Sequence, residues 1–251
     1  MHRFFLTGPF AAGEPLPLEP SDLHHLRDVL RLAAGAQVAV VEPAGRAFVV
    51  QLTAVVADGV RAAFLRPLPA PDVPRVVLVQ GLAKGEKMDL VIRQATELGV
   101  ERIVPLATAR SVVRLDERKA AERGLRWQRI AAEAAKQSQQ VRVPLISALV
   151  DVPGVPAALA ECACALVAWE EAAGAPSIAE AIGAASLAAS DAVAVIVGPE
   201  GGFTSGEVAL LAAAGARTVS LGPTVLRTET AGVVAAALAL GARGGLGGSA
   251  R

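Results

Sequence analysis

The chain has 251 residues, 53% of them hydrophobic, with 24 basic and 24 acidic side chains and a formal net charge of zero. That much apolar material excludes a disordered chain, and no uninterrupted apolar run reaches the ~18 residues of a membrane-spanning helix. The opening Met1-His2-Arg3-Phe4-Phe5 lacks the long apolar stretch and small-residue cleavage site of a secretion signal, so a soluble cytoplasmic protein is expected.

Residues 1–70 read as short strands with one helix. Ser21, after Pro20, is expected to N-cap a helix over residues 22–32, where Leu23, Leu26, Val29 and Leu30 recur at helical spacing and Gly35 ends the element. Val-rich runs at 37–42, 47–56 and 60–65, separated by Pro-Ala-Gly and Asp-Gly turns, predict a small and mostly antiparallel β domain. Residues 67–74 contain four prolines and read as a linker, which divides the chain into domains 1–70 and 74–245.

Beyond the linker the rhythm becomes strand, helix, strand, helix. Strands are expected at 76–80, 102–106, 166–169, 193–197 and 218–221. Helices are expected at 87–98 (stopped by Gly99), 117–139, 204–214 and 231–241. Near-continuous apolar strands in such an alternation predict an α/β fold with a parallel sheet covered on both faces. Ligands of such sheets bind beyond the carboxyl ends of strands, so the loops after Val197 and Leu221 are the first places to look.

Charge is uneven along the chain. Residues 1–72 hold six basic and seven acidic side chains, 73–145 fourteen and eight, and 146–251 four and nine. A basic middle segment in a neutral protein predicts a local patch for a polyanion. Cys162 and Cys164 share a strand face, but no further Cys or nearby His completes a metal set, so both read as small buried residues and no metal is expected.

The first loop is Gly198-Pro199-Glu200-Gly201-Gly202-Phe203. Its glycines allow a backbone to approach a ligand closely. Thr204 and Glu207 form a capping box for the next helix, which leaves Glu200 free for a turn or a binding role. The spacing is neither a dinucleotide fingerprint nor a phosphate-binding loop of nucleotide triphosphatases. In the second loop, Leu221-Gly222-Pro223-Thr224-Val225-Leu226-Arg227-Thr228-Glu229-Thr230, Thr228 is expected to cap the last helix and Glu229 to favour its positive end. Arg227 is not explained that way, because a cation at a helix start opposes the dipole; a polar or anionic ligand is expected beside it.

The pair GPEGGF (198–203) and LGPTVLRTETA (221–231) resembles the signature of the SPOUT-class 16S rRNA uridine-N3 methyltransferases, the RsmE type. Further matches follow in order: His24-His25-Leu26 with Val29-Leu30-Arg31, Lys84-Gly85 with Lys87-Met88-Asp89, Gln94-Ala95-Thr96-Glu97-Leu98-Gly99, Arg110-Ser111-Val112-Val113, and Arg126-Trp127 with Glu133 and Gln137-Ser138. One departure is Gln140, where the family often has Arg. The resemblance implies a PUA-like N-terminal β-barrel that binds RNA, a C-terminal domain tied in a deep trefoil knot, a homodimer, and S-adenosyl-L-methionine as cofactor. It further implies methylation of N3 of a specific uridine in 16S rRNA of the 30S subunit. Under it, Arg227, Glu229 and Glu200 are the expected catalytic residues, with Gly198, Gly201, Gly202, Leu221, Gly222 and Leu226 around the cofactor. Arg31, Lys84, Lys87, Arg93, Arg110 and Arg114 are the expected RNA contacts. Alternatives are a SPOUT enzyme acting on a ribose 2′-hydroxyl or another base, and a non-catalytic ribosome-assembly protein.

Overall fold

A computed structural model describes residues 1–43, 45–56, 59–69, 73–140, 142–172 and 174–247. Ala44 and Asp58 of the two expected turns, and residues 70–72 of the proline-rich linker, lie outside them. The chain divides into two compact units: Met1–Pro71 with Ala135–Arg142, and Asp72–Ala134 with Val143–Arg251.

In the first unit, β1 (Arg3–Phe5), β2 (Gln37–Val41), β3 (Ala47–Val56) and β4 (Gly59–Pro67) form a sheet in that order. β2–β3 and β3–β4 are antiparallel, while β1–β2 is parallel. Alternate residues Val38 and Val40, with Val50, Leu52 and Val60, turn inward onto the fully buried Leu26. The segment around residues 15–18 touches both edges of this sheet: Leu18 bridges Leu6 after β1, and Pro15 bridges Arg61 of β4. Helix α1 (Pro20–His24) runs on into a π turn over His25–Val29. Ser21 does not cap it. Glu19 holds the N-cap position and Pro20, whose ring presets a helical φ, takes the first turn. The helix stops earlier than its apolar spacing suggested, with Arg31 left-handed at φ 51°. Asp22 of α1 is paired at 2.7 Å with Lys136, which comes from the Ala135–Arg142 segment.

The second unit is a three-layer α/β domain. Its strands are β5 (Val76–Gly81), β6 (Arg102–Ala107), β7 (Leu145–Ile146), β8 (Val150–Asp151), β9 (Cys162–Ala168), β10 (Ala192–Val197) and β11 (Arg217–Val219). All pair in parallel in the order β11-β9-β10-β5-β6-β7, with β8 also on β6. The helices are α2 (Lys87–Leu98), α3 (Glu117–Gln137, whose last residues, from Ala135, belong to the first unit), α4 (Val155–Ala158), α5 (Ile178–Gly183), α6 (Ser205–Ala213) and α7 (Thr228–Ala242). Every residue of β5 and β10 is buried. Val76 and Leu78 feed the core shared with Val91, Ile92, Ala235 and Ala239 of α2 and α7. Val77 and Val79 feed the opposite core, with Phe203, Val208 and Leu211. Burying each such Val or Leu stabilises by roughly 1.5–3 kcal/mol, which is why these strands read as unbroken apolar runs. Helix α2 ends on Gly99 at φ 90°, as its sequence predicted. The short β7, β8 and α4 have no clear signal in the sequence, whereas α5 carries one that was not read, the capping box of Ser177 and Glu180. Cys164 is buried, Cys162 half-buried, and burial pushes both thiols up.

Candidate active site

A pocket of about 170 Å³ opens at the carboxyl ends of β9, β10 and β11. It is lined by Ala168-Trp169-Glu170, by Val197 to Glu200 with Gly202, and by Ser220 to Leu226 with Thr228 and Ala231. Both loops singled out in the sequence therefore form its walls. Gly198, Gly202, Leu221, Gly222 and Leu226 all line it, whereas Gly201 turns away toward Arg110.

The first wall is held by contacts from several elements. Gly81 ends β5 so close to it that a Cβ there would lie 2.3 Å from the Pro199 nitrogen. The turn closes through the Gly202 amide, which donates to the Pro199 carbonyl at 2.9 Å. Arg110, exposed, donates to the carbonyls of Gly201 (3.2 Å) and Phe203 (3.0 Å), and Phe203 is sunk in the core. The capping box of Thr204 and Glu207 is present, and Glu207 also accepts the Ala109 amide at 2.7 Å. Burial alone would raise the Glu207 pKa, but the amides of Ala109 and Thr204 outweigh it and hold the carboxyl below its ordinary range.

The second wall is looser. Ser220 donates its amide to Pro176 and its hydroxyl accepts the Gly222 amide at 3.1 Å. Beyond it Gly222, Pro223, Thr224 and Val225 are exposed, Val225 at 83%. The chain returns inward at Thr228, whose hydroxyl donates to the Gly198 carbonyl at 2.6 Å and accepts from the Gln80 amide at 2.9 Å. Thr228 is thus the first helical residue and not the cap. That position belongs to Arg227, because the Thr228 hydroxyl is engaged by the neighbouring loop and strand. Arg227 is extended and exposed, and its side chain makes no hydrogen bond or ion pair among the described residues. Its carbonyl accepts the Ala231 amide at 2.8 Å.

A charge cluster joins Glu200 of the first wall to Glu229 at the start of α7; of its members only Glu200 lines the pocket. The Lys87 ammonium lies 3.2 Å from Glu200 and 3.1 Å from Glu229, and the Lys84 amide donates to Glu200 at 3.2 Å. Both side-chain contacts of Lys87 are ion pairs. Glu229 beside it holds the Lys87 ammonium above its usual range. For both glutamates burial acts upward, but backbone amides and the ammonium outweigh it, and both carboxyls are held down. Lys87, expected on an RNA surface, is therefore engaged between two expected catalytic carboxylates. The Lys84, Arg93 and Arg114 side chains and Arg31 of the first unit are exposed; Arg114 also donates to the Ala109 carbonyl at 3.3 Å.

Four site residues were not singled out for a ligand by the sequence. Gln80, fully buried at the end of an apolar strand, had a signal in its polarity alone. Thr228 was hidden by its plausibility as a cap. Glu170 is exposed in the pocket without a hydrogen bond or ion pair among the described residues; a Cβ on Gly202, at φ 66°, would meet its carboxylate at 2.5 Å. The Trp169 indole N–H is buried without a hydrogen-bond partner.

Residues 71–240 match the family model described as RNA methyltransferase domain. The ribosomal RNA small subunit methyltransferase E of Bacillus subtilis is 33% identical over 242 residues, with 92% of this chain and 93% of the relative covered. The chain belongs to this methyltransferase family. The methyltransferase of the same description from Mycobacterium bovis is 37% identical over 226 residues, covering 88% of this chain and 82% of its own. Among solved structures, the ribosomal RNA small subunit methyltransferase E of Neisseria gonorrhoeae bound to S-adenosyl methionine superposes with a TM-score of 0.79 at 28% identity, covering 94% of this chain and 95% of that one. The family resemblance carried by the two loops is borne out.

Proposed function

We propose that this methyltransferase transfers a methyl group from S-adenosylmethionine to N3 of one uridine in 16S rRNA of the small ribosomal subunit. The observation that carries the reading is the pocket itself, two glycine loops converging on a space with an exposed arginine next to its lining. The lining suits that cofactor. Leu221, Leu226, Val197, Ala168 and Ala231 offer apolar surface for an adenine, and Glu170 and the Trp169 N–H have no hydrogen-bond partner among the described residues. When bound, S-adenosylmethionine supplies a methyl group on a positively charged sulfur.

The protein's part is to position uracil and to carry its charge. N3 bears a proton and is a poor nucleophile until that proton leaves, and charge then builds on the uracil oxygens. Arg227 is the cation that stabilises it, with alignment supplying much of the rest. Glu200 and Glu229, held ionised, are weak bases; their shared contact with Lys87 favours an orienting role over proton uptake.

Lys84, Arg93, Arg110 and Arg114 on the second unit and Arg31 on the first are the proposed phosphate contacts, so RNA affinity falls steeply with salt. The reading includes a PUA-like barrel, for which the bridges at residues 15–18 are the support. It also includes a trefoil knot. A chain that leaves the sheet at its edge strand β11 and returns at Thr228 against central β5 follows a path compatible with threading. A homodimer and a cytoplasmic site of action complete it. Among the described residues no helix is long and apolar enough to cross a membrane.

The test is mass spectrometry of 16S rRNA from cells with and without the gene. One N3-methyluridine lost with the gene is the expected result. A lost ribose 2′-O-methyl group, or no lost methyl group, overturns the reading.

A further inference from the structure

Lys87 is the first residue of α2, where a cation opposes the helix dipole, and the N-cap residue Glu86 supplies no side-chain cap. The needs of α2 therefore do not explain it. What it touches does. Glu200 belongs to the first wall of the pocket, after β10, and Glu229 to the first turn of α7, directly after the second wall. The ammonium, at 3.2 and 3.1 Å, is the group that joins them.

We propose that Lys87 is a positioning residue for methyl transfer, its ammonium clamping Glu200 to Glu229 and so setting the spacing of the two walls of the pocket. The inference rests on the methyl-transfer reading and adds a residue to it. Without the cation, two carboxylates that now share it face each other across the gap and repel. Arg227 lies beside Glu229, so the clamp also fixes the helix start from which that guanidinium projects. The other charged side chains nearby are accounted for: Glu86 and Lys84 are exposed, and Asp89 is paired with Arg126.

The test compares Lys87→Met and Lys87→Arg with wild type by calorimetry of S-adenosylmethionine binding and by single-turnover methylation of 30S particles across pH. Lys87→Met should weaken methyl-donor binding and slow transfer on the order of tenfold, the scale of one hydrogen bond to a charged group. Its acid-side loss of rate should move to higher pH, because both carboxyls protonate more readily once the cation is gone. Lys87→Arg should recover most of both. If Lys87→Met does not fold, Lys87→Gln takes its place. A double-mutant cycle with Glu200→Gln should be non-additive in methyl-donor affinity. An unmoved pH profile, an additive cycle or no rescue by Arg overturns the clamp. A wild-type protein that binds the methyl donor but leaves rRNA unmethylated counts against the proposed function alone, since the clamp is still read in the affinity cycle.

Discussion

The two walls of the pocket are built differently. The loop 198–203 is pressed against Gly81, pinned by Arg110 at two carbonyls, anchored by Phe203 in the core and continued by a capping box whose glutamate also holds Ala109. The loop 220–227 has a tether at Ser220, then exposed residues and an unpartnered arginine. One wall is completed by the protein. The other leaves an exposed cation beside the pocket, and binding and chemistry are expected to concentrate there.

The difference can be broken from either side. The largest effect is expected at Arg227 on the open wall. Arg227→Ala should lower single-turnover methylation by roughly 10²–10³ while leaving the urea midpoint in place, and Arg227→Lys should recover only part of the rate because the planar fork is lost. Wild-type turnover in Arg227→Ala would remove it from the mechanism. On the braced wall the loss should appear in stability. Gly81→Ala drives a methyl group into backbone and should cost about 1–3 kcal/mol in urea unfolding; an unchanged midpoint would mean the loop is free to retreat.

Acid should separate the walls next. Glu207 has a lowered pKa, so its contribution to stability is full above the ordinary glutamate range and is lost as pH falls through its lowered value. Stability measured by urea unfolding should decline over that window, and Glu207→Gln should flatten the decline. Parallel curves would assign the acid sensitivity elsewhere. The smallest effect belongs to Val225, 83% exposed. Val225→Ser should shift stability by less than about 0.5 kcal/mol, and a larger loss in a melting experiment would mean that the open wall is packed against something.

Much of this was legible because the determining interactions are local. The capping box at Thr204 and Glu207 and the stop at Gly99 depend on neighbours within four residues, and the parallel strands announce themselves by burial on both faces. Thr228 was misread for the opposite reason. Its hydroxyl is engaged by Gly198 and Gln80, 30 and 148 residues away, and no local pattern separates that from a cap. Lys87 has the same history: a lysine opening an amphipathic helix reads as surface, and the carboxylates that claim it come from a loop and a helix start far along the chain. The end of α1 was misplaced because apolar spacing through Val29 and Leu30 carried the expected helix to residue 32, past Arg31, where the backbone turns left-handed.

The Thr228 hydroxyl also makes the pocket depend on the last helix. Gln80 is fully buried, its carbonyl oxygen has no hydrogen-bond partner among the described residues, and Gly232 packs so closely that a Cβ there would lie 2.1 Å from it. Without α7 the Gln80 amide and the Gly198 carbonyl lack the hydroxyl that joins them. The same helix supplies Ala235 and Ala239 to the core beneath Val76 and Leu78. Pocket and core therefore share one element, and a chain ending before Thr228 should lose methyl-donor binding and lower its urea midpoint together.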